Sequence, residues 1–171
     1  MAVIESITAA PAGTWQFDPV HSHIGFEVAY AGVNTFRGSF SDYTATLADG
    51  TLGGSAKVAS IDVKDEQLNG HLQTPDFFDA ERFPEITFRS DDLKSGELTI
   101  KGATRPVELT TTASEPNVDL AGRERLGLRL ETTIDRNEFG VSWNAPNQGS
   151  GNYLGDDVKL VAELAFIKAA S

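Results

Sequence analysis

The sequence predicts an all-β domain, an antiparallel barrel or sandwich of about eight strands. Apolar and polar residues alternate at period two over most of the chain, and turn residues separate those runs. No strand–helix–strand alternation of the kind that builds a parallel sheet interrupts them. Beginning at Ser22, Ile24, Phe26, Val28 and Tyr30 alternate with Gly25, Glu27 and Ala29, which places one apolar face on a strand. Phe36, Gly38 and Phe40 repeat the pattern against Arg37 and Ser39. Asp49-Gly50 then supplies a tight hairpin turn, because such turns need φ > 0. Ala56 to Ile61 reads as a further strand whose apolar face Ser60 interrupts.

The exception runs from Asp65 to Pro84. Leu68, His71 and Leu72 fall at helical spacing, and Thr74-Pro75-Asp76 has the makings of an N-cap, a first-turn proline and a dipole-matched acid. Short helices are expected here, ended by Pro84, which biases Phe83 to extended geometry. Strands resume with Ile86 and Phe88, then Leu98 and Ile100, then Val107 and Leu109. Gly102-Ala103-Thr104-Arg105-Pro106 makes the last pair a hairpin, with proline at the strand start. The clearest strands come last: Leu126, Leu128, Leu130, Thr132 and Ile134 share one face, as do Val158, Leu160, Ala162, Leu164 and Phe166. Between them Asn144 to Gly155, beside Trp143 and including Tyr153, reads as a mobile loop able to gate access to an interior.

A chain of 171 residues, 40% of them hydrophobic, suits one domain, here residues 14–168 behind a flexible lead at 1–13 that contains Ala9-Ala10-Pro11-Ala12-Gly13. The net charge of −11 repels phosphate backbones and anionic membrane surfaces, so nucleic acid is excluded as a partner. The chain has no cysteine, which removes disulfides, thiolate metal sites and cysteine nucleophiles together. No segment has the roughly 18 apolar residues of a membrane span, and the opening residues lack signal-peptide character, so a cytoplasmic protein without stable membrane insertion is expected.

A closed barrel of about eight strands is wide enough either to be filled by side chains or to hold one small ligand. The presumed inner faces mix Phe26, Phe40, Phe88 and Leu128 with Gly38, Ala56, Ser90 and Ala162, which leaves a lined tunnel and a tapered packing pattern both open. A hydrocarbon in such a tunnel gains roughly 0.8 kcal/mol per buried CH₂. The turn-borne Arg105 and Arg136 could meet an anionic head group, or could be solubilising turn charges. Asp76-Phe77-Phe78-Asp79 could line the tunnel mouth as a lid, or plug one barrel end.

Several segments together resemble the YceI-like family. Trp15-Gln16-Phe17-Asp18-Pro19-Val20-His21-Ser22 is similar to its opening motif, followed by Phe26 and by Arg37-Gly38-Ser39-Phe40. His71-Leu72, Asp76-Phe77-Phe78-Asp79, Phe83-Pro84-Glu85-Ile86-Thr87-Phe88 and Ser90 match its most recognisable run. Leu98-Thr99-Ile100, Gly102, Thr104-Arg105-Pro106-Val107 and then Asp135-Arg136, Glu138-Phe139-Gly140 resemble its later motifs, so the likeness covers Trp15 to Phe166 in order. The resemblance implies an eight-stranded lipocalin-like barrel with a helical excursion near residues 66–82. It implies a long apolar tunnel holding an isoprenoid lipid, a polyprenyl chain or an isoprenoid quinone, by binding rather than catalysis and without a cofactor.

On this reading the tunnel lining or mouth draws on Phe26, Val28, Tyr30, Phe36, Phe40, Phe77, Phe78, Phe88, Leu128, Leu130, Trp143, Arg105 and Arg136, while His21, Ser22 and His71 have structural roles. Family members also occur as homodimers, which this sequence neither supports nor opposes. Two departures stand out: Ala29-Tyr30 replaces a frequent Arg-His pair, and Leu68-Asn69 replaces a frequent Arg-Asp. A head group held by that missing arginine would be held differently, which favours a neutral quinone or carotenoid-like ligand over a pyrophosphate.

Other chemistry has weaker footing. His21-x-His23 with His71 has the residue types of a three-nitrogen zinc set, but no HExxH arrangement accompanies them. Ser22, His71 and Asp79 are the types of a hydrolytic triad without a nucleophile elbow. The sequence therefore points to a carrier, buffer or sensor, against two rivals: an enzyme using the barrel as a reaction chamber, and an interaction module packed solid.

Overall fold

Antiparallel ladders join thirteen strand segments into one sheet that rolls round on itself. The computed structural model describes residues 5–6, 11–144 and 154–169. In chain order the strands are β1 (Glu5–Ser6), β2 (Thr14–Tyr30), β3 (Asn34–Phe40), β4 (Tyr43–Ala48), β5 (Thr51–Lys57), β6 (Ile61–Asp62) and β7 (Glu85–Ser90). They continue as β8 (Ser95–Ile100), β9 (Ala103–Glu108), β10 (Thr110–Ala113), β11 (Asn117–Val118), β12 (Glu124–Asp135) and β13 (Leu154–Lys168). One helix, α1 (Glu66–Leu72), lies between β6 and β7. β3 runs on into β4, β5 into β6, and β9 into β10, so the ring holds eight paths: β2, β3–β4, β5–β6, β7, β8, β9–β10, β12 and β13. The expected antiparallel barrel of eight strands with one helical excursion is what forms.

The two longest runs pair as their patterns demand. Leu126 faces Phe166, Leu128 faces Leu164, Leu130 faces Ala162 and Ile134 faces Val158, so both apolar faces point to one interior. β13 then pairs β2 with two register shifts: one sets Leu154 with Tyr30 apart at the top, and the other separates Phe166 with Phe17 below from Leu160 with Phe26 above. Residues 19–22 bulge out between them. An odd shift flips every later side chain to the other face, so Trp15 and Phe17 point inward at odd positions and Ile24, Phe26 and Val28 at even ones.

Closure is incomplete in one place. β10 pairs β12 from Thr110 opposite Glu131 downward, whereas β9 pairs β8 and parts from β12. A seam opens there, lined by Pro106, Thr110 and Thr133 among others. A 3₁₀ turn, Arg136–Phe139, sits against it, and Arg105 Nε donates to the Glu138 carbonyl at 3.2 Å across to that turn.

Three local expectations are corrected. The β8–β9 connection is only Lys101-Gly102, both at positive φ, and Pro106 lies inside β9. Proline is tolerated there because the β9 edge beside the seam has no ladder to break. No helix begins at Thr74: the Asp79 and Phe77 N–H groups both return to the Thr74 carbonyl, Phe78 N–H returns to Leu72, and Asp79 turns left-handed at φ 51, folding the segment back on α1. The helix that does form is capped by Asp65, whose Oδ1 accepts from Gln67 N at 2.9 Å. Finally, Ala56 to Ile61 is not one strand, since Val58–Ser60 makes a 3₁₀ turn between β5 and β6. The Asp49-Gly50 hairpin forms as expected, with Ala48 opposite Thr51 and both turn residues at positive φ. Among the described residues no helix is long and apolar enough to cross a membrane.

Candidate functional site

The barrel is solid at one end and empty at the other. At the solid end Trp15, Leu47, Leu52, Leu93, Leu126, Leu128, Leu164 and Phe166 form one buried cluster. Above it lies a hollow of about 450 Å³, within the range of small-molecule sites. Leu52, Leu130 and Leu164 belong to both and form its floor. Ile24, Phe26, Val28 and Tyr30 line one wall. Their six residue steps at about 3.3 Å each make the hollow roughly 20 Å long.

Two glycines explain why phenylalanines line the wall without filling the space. Phe26 pairs across the ladder with Gly38, and a Cβ on Gly38 would stand 2.4 Å from the Phe26 ring. The ring therefore lies flat over β3, with its centroid 6.1 Å from Phe36 and 6.0 Å from Phe40. Gly96 does the same for Phe88, whose ring atoms would approach its missing Cβ to 2.6 Å. Beside Phe88, β5 contributes the small residues Gly53, Gly54, Ser55 and Ala56, with Gly54 as its ladder partner.

The structure gathers eleven of the thirteen candidate ligand residues around this space: Phe26, Val28, Tyr30, Phe36, Phe40, Phe77, Phe78, Phe88, Leu130, Trp143 and Arg136. Two lie elsewhere. Leu128 faces inward but sits two residues below Leu130, under the floor, at 2% exposure and packed in the solid cluster. Arg105 is exposed, and its guanidinium binds the Glu138 carbonyl instead of facing the hollow.

The helical excursion both covers the open end and lines it. Leu68, His71, Phe77 and Phe78 border the hollow. His71 Nε2 donates to Asp76 Oδ2 at 2.9 Å, and its ring meets Phe77 and Trp143 edge-on, each at 4.9 Å. Lys101 Nζ fastens this cover to the barrel by donating to the carbonyls of Pro75 at 2.6 Å and Gly140 at 3.1 Å. Where the two departures occur, Tyr30 and Leu68 line the hollow and Asn69 Nδ2 donates to the Ile61 carbonyl at 2.8 Å. The expected gating loop falls largely on residues 145–153, outside the described residues, as does most of the N-terminal lead. Its two ends are joined, since Asn144 exchanges side-chain hydrogen bonds of 2.8 and 2.9 Å with the Leu154 backbone.

His21 and Ser22 occupy the bulge. Ser22 Oγ accepts from Ala165 N at 2.9 Å and donates to the Asp18 carbonyl at 2.7 Å, so the hydroxyl stands in for a missing rung of the ladder. His21 Nδ1 donates to Asp18 Oδ2 at 2.7 Å, and Arg125 Nη1 donates to the same oxygen at 2.8 Å. That arginine also reaches Asp119 Oδ2 at 2.7 Å. The Arg125 guanidinium, with help from His21, holds the Asp18 carboxyl down at about 2. Asp119 is likewise held below the usual carboxylate range, first by the Arg123 N–H and then by Arg125. This network escaped the sequence reading, because nothing local links Asp18 to a residue as far along the chain as Arg125. His21 serves Asp18 in the bulge while His71 serves Asp76 in the cover, so the three-histidine set and the Ser22–His71–Asp79 triad are not assembled.

Arg136 is the most buried charge at the hollow, only 5% exposed. Its Nε donates to the Gly155 carbonyl at 2.8 Å, and its Nη1 to Val141 at 2.7 Å and Trp143 at 2.9 Å. Burial pushes its pKa down from the ordinary arginine value.

Comparison with known proteins agrees with this geometry. The sequence profile of the YceI-like domain matches residues 15–166. A UPF0312 protein of Staphylococcus aureus strain USA300 is 30% identical over 165 residues, covering 88% of this chain and 95% of that protein. The crystal structure of Burkholderia cenocepacia BcnA superposes with a TM-score of 0.74 at 22% identity, covering 88% of this chain and 99% of that one. A polyisoprenoid binding domain from Saccharophagus degradans, implicated in plant cell wall breakdown, superposes with a TM-score of 0.73 at 11% identity, covering 91% and 98%.

Proposed function

This chain is a member of the YceI-like family, and we propose that it holds a long apolar isoprenoid-type lipid, a polyprenyl chain or an isoprenoid quinone, as a carrier, buffer or sensor. The observation that carries the reading is the hollow itself: a closed leucine floor and phenylalanine walls enclose a roughly 20 Å space bordered by few charged side chains. A hydrocarbon there gains about 0.8 kcal/mol for each CH₂ taken from water, and needs no directional chemistry along its length. The fold shared with a domain described as polyisoprenoid binding supports the choice of chain.

Binding without catalysis fits the polar groups near the hollow. A reaction chamber needs a base free to reach substrate, whereas His71 is engaged by Asp76 and wedged between Phe77 and Trp143. The packed-solid interaction module describes only the lower half of the barrel. The net charge of −11 suits a carrier that stays in solution near anionic membranes.

Mass spectrometry of an organic extract from protein purified without detergent tests the proposal. An isoprenoid recovered in molar proportion to the protein is the expected result. Protein that carries no lipid and, after delipidation, takes up neither a polyprenol nor a quinone in titration removes it.

A further inference from the structure

Among the described residues, two buried side-chain polar atoms have no hydrogen-bond partner, Gln73 Oε1 and Arg136 Nη2. Of these residues only Arg136 borders the hollow. Three of its five N–H groups are used, one on Nε and two on Nη1, all by backbone carbonyls. Both hydrogens of Nη2 remain free. A buried polar group left unpaired costs more than the net worth of an ordinary hydrogen bond, so Nη2 of a residue that borders the hollow favours any ligand able to bring an acceptor to it.

Charge sharpens the choice of acceptor. Among the described residues no carboxylate lies within ion-pair distance of Arg136. The nearest acids, Asp135 and Asp156, attract it from outside, where their Oδ1 atoms both accept from Asn137 Nδ2, at 2.9 and 3.0 Å. The two carboxylates that border the hollow are also engaged: Asp65 caps α1, and Glu131 pairs with Arg129 and Lys159. The guanidinium is thus a buried cation whose contacts are all neutral, held rigidly by three carbonyls before any ligand arrives.

The geometry points to Arg136 Nη2 as the receptor for an anionic oxygen on the bound lipid, a carboxylate or phosphate, held beside Trp143 with the hydrocarbon running down to the leucine floor. This rests on the lipid reading above and narrows it to chains with an acidic head, against the neutral head that the two sequence departures favour. Turn position alone made Arg105 and Arg136 equal candidates; burial and the free Nη2 separate them. An acidic head pairs its charge with the guanidinium as well as accepting its hydrogen bond, where an alcohol or ester only accepts.

The test uses one isoprenoid chain with three heads: farnesoic acid, methyl farnesoate and farnesol. Trp15 and Trp143 are the two tryptophans of the chain, so a Trp15→Phe variant leaves Trp143 as a fluorescent reporter at the site. At neutral pH the acid binds about tenfold tighter than the ester or alcohol. Its advantage fades as pH falls through the pKa of the free acid, and Arg136→Gln abolishes it, so that within that variant the acid binds no tighter than farnesol. Should Arg136→Gln not fold, the head series and its pH dependence on the unsubstituted site still decide. Equal affinity for all three heads overturns the Arg136 contact and leaves the lipid reading standing. Binding of none of them overturns both.

Discussion

The two ends of this barrel are built from the same long strands, yet side chains meet across the lower one and leave the upper one empty. Below the floor, inward positions on opposite walls carry large residues, and Leu93 is turned into the end by a left-handed backbone, φ 61, at 0% exposure. Ser90 Oγ accepts from the Leu93 N–H at 2.9 Å and Thr111 Oγ1 donates to its carbonyl at 2.6 Å, which hold that plug in place. Above the floor the aromatic residues are as large, but Phe26 and Phe88 lie along the wall over Gly38 and Gly96, and β5 answers them with glycine, serine and alanine. What separates a packed core from a hollow here is ring direction, set by where glycines fall on the neighbouring strand.

The largest expected effect breaks the comparison directly. Phe166→Ala, at 0% exposure in the solid end, opens a cavity where none exists and costs about 3–5 kcal/mol in urea unfolding. Phe36→Ala, on the wall of the hollow, enlarges a space already present and costs less than half as much by the same measurement. Equal losses at the two sites would mean that the upper end is packed as tightly as the lower.

The bulge that joins the two ends has its own signature in acid. Asp18 titrates near 2 in the folded chain against 3.8 when free, so its contribution is full above the free value and disappears as pH falls through the folded one. About 2 kcal/mol of stability should be lost over that window in acid unfolding curves. Asp18→Asn should flatten that stretch of the curve; an unchanged acid limb would show that the Arg125 pair contributes nothing.

A smaller effect reads the hollow through binding. Gly38→Ala forces the Phe26 ring off the wall and into the space and crowds Val63, so lipid affinity falls about tenfold while stability falls by about 1–2 kcal/mol. Undiminished affinity in that variant would mean that the ring position does not keep the hollow open. Smallest of all is Arg105→Ala, which removes an exposed side chain from the seam: stability should move by less than about 0.5 kcal/mol and lipid affinity not at all. A loss of affinity there would return Arg105 to the site.

The residues by themselves determined what depends on neighbours in the chain. Period-two alternation assigned the faces of β12 and β13, and Asp49-Gly50 set a hairpin, because strand pleat and positive φ are local properties. Ring direction, burial of a charge and the height of the floor depend instead on residues far apart in sequence. No local pattern distinguishes Leu128 from Leu130, or Arg105 from Arg136; the three-dimensional arrangement put one leucine under the floor and the other in it, and one arginine in water and the other against the hollow. The bulge belongs to both categories, since Asp18, His21 and Ser22 are adjacent in sequence while Arg125 and Ala165, which complete it, arrive only when β12 and β13 dock. A chain can encode inward and outward residue by residue, but whether opposite walls touch is decided by the distance between them.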